Sequence, residues 1–351
     1  MAAPDRFAAS VTDRAHTRLT RVGTSVAPGG GDWRGPFSFV QLADTQFGLL
    51  PAMKKLWWVR WLKTLSFGWI DFNVPEDAAP ELDDDEAYAK ELAFAEKSVA
   101  HVNSMTPAPA FVVVCGDLVN AFPTQTALQQ DQVADFKRIF STIREDIPCV
   151  CVCGNHDLGD RPNAATVDLF RRRFGDDYFS FWAGGVKFLV LNSQLWKDAT
   201  DAQELAEAQD EWLRAELGKN EKAQHLIVFS HISPFIESQD ERSAYFNLEM
   251  SVRMRLLGDL ADAGCKAWFS GHYHRNSVGL YTHTDGETQI EVVTSCAVGA
   301  TLRSKPAGAG GDPLGLSGMQ AVELDESTSG LRVVHVDTDS ITHDWVAISD
   351  M

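Results

Sequence analysis

Five apolar runs in this chain each stop within a residue or two of a side chain that can hold a metal ion. Phe37 to Leu42 leads to Asp44, Phe111 to Cys115 leads to Asp117, and Cys149 to Cys153 leads to Asn155. Leu226 to Ser230 leads to His231, and Ala267 to Ser270 leads to His272 and His274. Carboxylate, amide and imidazole donors together suit Mn, Fe, Zn or Mg rather than a thiolate zinc site. One such ending means little, because polar residues often close strands and a lone strand-end histidine is more often a hydrogen-bonded cap. Five in order, with two histidines at alternate positions, point to one shared site. The densest stretch is Val150 to Asp160, where a β-prone run breaks at Gly154 and Asn155, His156 and Asp157 follow at once.

The elements around these groups read as α/β. Glu86 to Val102, Thr126 to Ile147 and Arg161 to Phe174 have helical spacing and alternate with the first three β runs, the signature of a sheet with parallel pairs. Ligands of such sheets bind beyond the carboxyl ends of the strands, where these polar groups lie. Further on, Tyr178 to Trp182 and Val186 to Asn192 flank Ala183-Gly184-Gly185 as a hairpin. Ala202 to Leu217 and Glu249 to Ala263 are helical. Ser277 to Thr282, Glu291 to Ser295 and Leu331 to Val336 are β-type, with a Gly-rich loop over Pro306 to Gly318.

Residues 1–32 read as a disordered tail, with a faint likeness to a transit peptide that Asp5 and Asp13 weaken. Residues 33–345 read as a single domain. It carries an insertion at about 50–85 that joins a basic, Trp-rich segment (Trp57, Trp58, Trp61) to an acidic run ending at Glu86. The expected role of this insertion is packing on the domain's own surface; a helix lying on a membrane or a partner is the alternative. Its charged run is expected to be a solvated loop and helix start.

The composition, 44% apolar and 23% charged over 351 residues, is that of a soluble globular protein able to bury a large core. No apolar run approaches the roughly 20 residues of a membrane span. The net charge of -18 argues against nucleic acid as a partner and leaves metal ions to supply positive charge for any anionic substrate. Cys149, Cys151 and Cys153 alternate, as small residues on one face of a strand would. Buried free thiols fit a cytoplasmic location.

The series D-x-[H/Q], G-D, G-N-H-D, H, G-H-x-H, here from Asp44 to His274, resembles the calcineurin-like metallophosphoesterase superfamily. The likeness extends to Trp33-Arg-Gly-Pro-Phe37, Ala43 to Leu49, Gly175 to Trp182, Leu191-Asn-Ser-Gln194, Tyr245-Phe-Asn-Leu248 and Gly271 to Asn276. These segments are similar to a subfamily regarded as metal-dependent protein serine/threonine phosphatases, with a protein kinase of the B type as proposed target. The resemblance implies a four-layer α/β/β/α sandwich of two mixed sheets and a dinuclear centre, with manganese favoured among the candidate metals. It implies that Asp44, Gln46 and His274 face the first metal, that Asp117 bridges, and that Asn155, His231 and His272 hold the second. Gln46 stands where the superfamily usually has histidine. An amide oxygen binds a transition metal less well than imidazole, so Gln46 is expected to be a weak ligand or none.

Two cations about 3.5–4 Å apart would lower the pKa of a bridging water and clamp the phosphoryl oxygens. His156, whose side chain diverges from that of Asn155, is expected to protonate the leaving alkoxide with Asp157 fixing its tautomer; a buried structural histidine is the alternative. Arg275 and Arg303 are candidate substrate contacts, or simple surface residues. The same core would also support a phosphodiesterase or nucleotide pyrophosphohydrolase. A purple acid phosphatase is disfavoured because Asn120 stands where that group has tyrosine. A metal-free interaction module would be expected to have lost some of these ligands, and all are present.

Overall fold

The computed structural model describes residues 32–52, 84–219, 221–304, 322–325 and 328–351. Residues 1–31, the Trp-rich stretch 53–83 and the Gly-rich loop at 306–318 lie outside the described residues.

Two mixed sheets stack face to face. The first has the order β13-β12-β1-β2-β3, formed by Ile341–Ala347, Gly330–Val336, Phe37–Leu42, Val112–Cys115 and Cys149–Val152. Strands β1, β2 and β3 are parallel; β12 pairs antiparallel with β1, and β13 pairs antiparallel with β12. The second has the order β4-β5-β6-β7-β9-β8, formed by Phe179–Ala183, Val186–Val190, Leu226–Phe229, Cys265–Ser270, Gln289–Thr294 and Ser277–Thr282. Its β5, β6, β7 and β9 are parallel. A short ribbon pairs β10 (Thr301–Ser304) with β11 (Val322–Asp325).

Strand alternation assigns each residue to a layer. Val113 and Val152 point inward with Phe39 and Phe111, and meet Phe181, Phe188, Phe229 and Phe269 of the second sheet. Val112, Val114 and Cys151 point outward, to helices α1 (Asp84–Ser104), α2 (Thr126–Phe140) and α4 (Ala164–Phe174). Between α2 and α4 lies the one-turn helix α3 (Asn155–Leu158). The far face of the second sheet, with Val228, Trp268 and Val292, packs on Leu213 of α6 (Gln203–Leu217) and on Leu256, Leu257 and Leu260 of α7 (Met250–Asp262). The layers therefore run α/β/β/α, as expected. A further one-turn helix, α5 (Gln194–Lys197), precedes α6.

Two differences from the sequence reading have local causes. Helix α2 stops at Phe140 rather than Ile147. Ser141 and Thr142 turn their hydroxyls onto the carbonyls of Arg138 and Ile139 at 2.9 and 2.6 Å, and Asn103 of α1 takes the amide of Arg144. These side-chain bonds replace the helical ladder. The edge strand β13 was not foreseen, because ITHDWVA mixes polar and apolar residues and is only half-buried.

Candidate active site

Among the described residues, five that are not glycine adopt a positive φ: Asp44, Gln46, Asp117, His272 and His274. This left-handed conformation is disfavoured for residues with a Cβ and gathers where structure over-determines it. All five are candidate metal-site residues, each just past the end of β1, β2 or β7. The turns bend the chain so that successive side chains converge on one point between the sheets.

The loops brace one another. Asp44 N donates to the Gly116 carbonyl at 3.1 Å, Gln46 N to the Asp117 carbonyl at 2.9 Å, and Gly271 N to the His231 carbonyl at 3.0 Å. Carboxylates extend the bracing, since His156 N donates to Asp117 Oδ1 at 2.8 Å and His272 N to Asp44 Oδ2 at 3.0 Å. Gly154 and Gly271 make this approach feasible. A Cβ on Gly271 would sit 2.5 Å from Asp44 Oδ2, and one on Gly154 would collide with the Asp117 carboxylate.

Backbone carbonyls set the imidazole tautomers, because a carbonyl can only accept. His231 Nδ1–H donates to Cys115 O at 2.8 Å and His274 Nδ1–H to Ala300 O at 2.6 Å, so each Nε2 carries a lone pair in the neutral ring and is where a proton or a metal ion would sit. His272 Nε2–H donates to Tyr245 O at 3.3 Å, leaving Nδ1. His231 Nε2 then faces Asp117 Oδ2 at 3.3 Å and Asn155 Oδ1 at 3.1 Å, and His274 Nε2 faces Asp44 Oδ1 at 3.3 Å. Ligand atoms of Asp117, His231 and His272 lie within 4.8 Å of one another. Gln46 Oε1 is buried with no hydrogen-bond partner among the described residues. Acceptors turned toward acceptors in a buried space call for a cation, so these residues fit divalent metal.

The ionisation of the groups carries the same strain. Burial would raise Asp117, but the imidazoles of His231, His156 and His272 hold it well below the usual carboxylate range. Burial would lower His231, but Asp117 and Asp44 outweigh it and bring it to about 9. His272 is driven well below its ordinary value by burial and by the neighbouring His231. His274 is raised: burial opposes this, and the adjacent Asp44 carboxylate prevails.

His156 lies beside this cluster, with its ring against Phe122 at 4.4 Å between centroids. Its Nδ1–H donates to the Asn120 carbonyl at 2.5 Å, so Nε2 accepts from Gln46 Nε2 at 3.0 Å. The expected contact with Asp157 is not formed. Asp157 turns back to accept from Gly154 N at 2.8 Å and Leu118 N at 3.2 Å, knitting the second and third strand-end loops together. Its carboxyl is raised well above the usual range by burial and by Asp117. Position i+1 on a one-turn helix points away from His156, and a main-chain carbonyl has taken over the orienting role.

Sequence reading assigned no role to Asn120, Asp160 or Tyr245. Asn155 Nδ2 donates to Asp160 Oδ1 at 3.0 Å and to Tyr245 Oη at 3.3 Å. Both amide protons are thereby used, and the amide oxygen is fixed toward His231. The Tyr245 signal was present in the Tyr245-Phe-Asn-Leu248 motif; Asn120 meets His156 through its backbone carbonyl and Gln46 Nε2 through its side-chain oxygen at 3.4 Å. Arg275 follows the last metal-site histidine, with its guanidinium 5.1 Å from the Tyr273 ring centroid. Arg303 falls in β10, and its side chain lies outside the described residues.

The calcineurin-like phosphoesterase family model matches residues 37–276. The chain belongs to this family. The serine/threonine-protein phosphatase CPPED1 of Mus musculus is 40% identical over 322 residues, covering 91% of this chain and 86% of its own length. That of Danio rerio is 35% identical over 322 residues, covering 91% and 87%. Among solved structures, PhoD superposes with a TM-score of 0.55 at 12% identity, covering 91% of this chain and 67% of its own. The purple acid phosphatase PPD1 of yellow lupin gives 0.53 at 13%, covering 93% and 53%. These two share the fold. As a calcineurin-like phosphoesterase, the chain is a divalent-metal-dependent phosphoester hydrolase. No helix among its described residues is long and apolar enough to cross a membrane.

Proposed function

We propose that this chain is a serine/threonine-protein phosphatase that hydrolyses phosphomonoesters on protein with a dinuclear metal centre. The observation that carries the site is the ring of acceptor atoms around His231 Nε2, with Asp117 Oδ2 at 3.3 Å and Asn155 Oδ1 at 3.1 Å. The substrate class rests on the CPPED1 relatives, which carry that activity in their name. Asp44 and His274, with Gln46 as a weak ligand or none, would hold one ion. Asn155, His231 and His272 would hold the other, and Asp117 would be shared. When bound, the ions supply positive charge for the phosphoryl oxygens and a lowered pKa for water. The mixed oxygen and nitrogen donor set suits Mn, Fe, Zn or Mg, and manganese is the metal proposed among them.

The protein's own groups do the rest. His156 would protonate the leaving alkoxide from Nε2. In the neutral ring that atom accepts from the Gln46 amide; once protonated it would donate, and Gln46 can answer by turning its unpartnered Oε1 toward it. Asn120 keeps the proton on Nδ1 in both states. Phosphoryl transfer asks for little more than such positioning and charge neutralisation. Arg275 and Arg303 are proposed phosphoprotein contacts, and a protein kinase is the proposed target. The buried or half-buried free cysteines support a cytoplasmic setting. Residues 33–345 are proposed as one domain preceded by a tail.

The test compares a phosphoserine peptide with a simple phosphodiester as substrates of manganese-loaded protein, with Asp117→Asn as the blank. Faster, chelator-sensitive release from the peptide is expected. A preference for the diester would overturn the reading.

A further inference from the structure

Tyr245 reaches the site from the far part of the connection between β6 and α7, the same connection that carries His231 at its start. Its hydroxyl oxygen accepts from Asn155 Nδ2 at 3.3 Å, so its own proton is not used in that bond. Among the described residues nothing accepts from Tyr245 Oη. Its ring lies 4.8 Å from the His272 ring, and its carbonyl takes the His272 Nε2 proton. Tyr245 nevertheless remains 43% exposed, so a substrate can reach it.

The loop is held still. Lys197 Nζ donates to the carbonyls of Ala244 at 2.5 Å and Asn247 at 2.7 Å, one on either side of Tyr245 and Phe246. Asn247 spans the same turn, accepting from Ala244 N at 2.6 Å and donating to Glu241 at 2.5 Å and to the Arg242 carbonyl at 2.9 Å. A donor with a spare proton, fixed beside the amide that faces the metal cluster, has the properties of a preorganised oxyanion contact.

We propose that the Tyr245 hydroxyl is a substrate-binding donor of this site, giving its hydrogen bond to a non-bridging phosphoryl oxygen. The inference rests on the phosphatase reading and adds a residue to it. The donor would hold the phosphoryl group at the Asn155 side of the site, with the Tyr245 and Phe246 rings beside it as a wall.

Tyr245→Phe keeps the ring and removes only the O–H. With manganese-loaded protein and the phosphoserine peptide, kcat should fall on the order of 100-fold, as for removal of one oxyanion donor. Metal content by elemental analysis should stay at the wild-type level. Calorimetric affinity of the loaded protein for inorganic phosphate should fall on the order of tenfold, a readout that needs no turnover. Kinetics and phosphate affinity within twofold of wild type would overturn the proposal. A matching loss of metal would also overturn it, by making the hydroxyl a support for Asn155 alone. If wild type leaves the peptide intact, the phosphatase reading fails by itself, and the phosphate affinities of the two proteins still decide the role of Tyr245.

Discussion

His231 Nε2 and Asp117 Oδ2 stand 3.3 Å apart, both fully or nearly fully buried, with the other imidazole nitrogen committed to the Cys115 carbonyl. The pair is satisfied only when a proton or a metal ion lies at Nε2. Metal should therefore stabilise the folded chain, because it binds the native cluster and finds no such cluster in the unfolded one. Manganese should raise the midpoint of thermal unfolding and a chelator should reverse the rise. Asp117→Asn should abolish most of that rise and lower phosphate release at least about 100-fold. An undiminished thermal response in the variant would show that the ion binds elsewhere.

His156 lies outside the acceptor ring, held by Asn120, Gln46 and Phe122. Its removal should cost chemistry and spare the metal. His156→Ala is expected to lower kcat by about 10²–10⁴-fold, the usual worth of a positioned acid, with metal content by elemental analysis unchanged. An activated ester with a good leaving group needs less protonation, so the loss should shrink on p-nitrophenyl phosphate. Equal losses on both substrates would argue against the proton-donor role.

Gln46 is shared between two tasks, since its nitrogen serves His156 and its oxygen has no hydrogen-bond partner among the described residues. Gln46→His should strengthen metal binding at the Asp44–His274 side on the order of tenfold, measured by competition with a chromogenic chelator. The same change should lower kcat, because a ring turned to ligate through one nitrogen is not expected to set its other N–H where the Gln46 amide meets His156 Nε2. Tighter binding with an unchanged kcat would show that Gln46 does not serve His156.

Much of this site could be read from the sequence because its logic is local. A run such as Phe111 to Cys115 must be a buried strand, and the first polar residue after it must lie at the sheet's edge. The same reasoning placed Asp44, Asn155, His231 and the paired histidines. It could not see that Asp157 turns away from His156, because that depends on the handedness of a single helical turn. Nor could it find the hold on His156 by the Asn120 carbonyl, a group that any residue would carry, or give a role to Tyr245, which enters from a loop 90 positions beyond Asn155. Contacts made by backbone and by distant loops leave no periodic trace.

The layers that aim these loops are joined by aromatic packing. Phe111 is fully buried, stacks on Phe39 at 4.9 Å and meets Phe181 and Phe188 edge-on at 5.1 and 5.0 Å. It thus ties the strand bearing Asp117 to the second sheet. Phe111→Ala should cost about 3–5 kcal/mol in denaturant unfolding, through lost burial and the cavity left behind. Metal affinity at low temperature should change far less, since Phe111 touches no ligand. A cost below about 1 kcal/mol would mean that the sheets close over the gap.

Glu91 of α1 supports the loop after Gln46, its two oxygens accepting from Gly48 N at 2.6 Å and Leu50 N at 2.8 Å. Burial raises its carboxyl to about 8, with those backbone donors opposing the shift. From its ordinary value of 4.5 up to about 8, the folded chain then keeps a proton that the unfolded chain has released. Stability must fall as pH rises through that window, by up to about 1.4 kcal/mol per pH unit, and level off above it. Glu91→Gln cannot ionise and replaces one acceptor by an amide nitrogen facing an N–H. It should be less stable than wild type at pH 5 by about 1–3 kcal/mol. Only wild type loses stability on the way, by roughly 3–4 kcal/mol between pH 5 and 8, so the gap should close and then reverse in favour of the variant before pH 8. Urea unfolding of both chelator-treated proteins at several pH values provides the comparison, and a constant gap across the range would place the Glu91 carboxyl outside this titration.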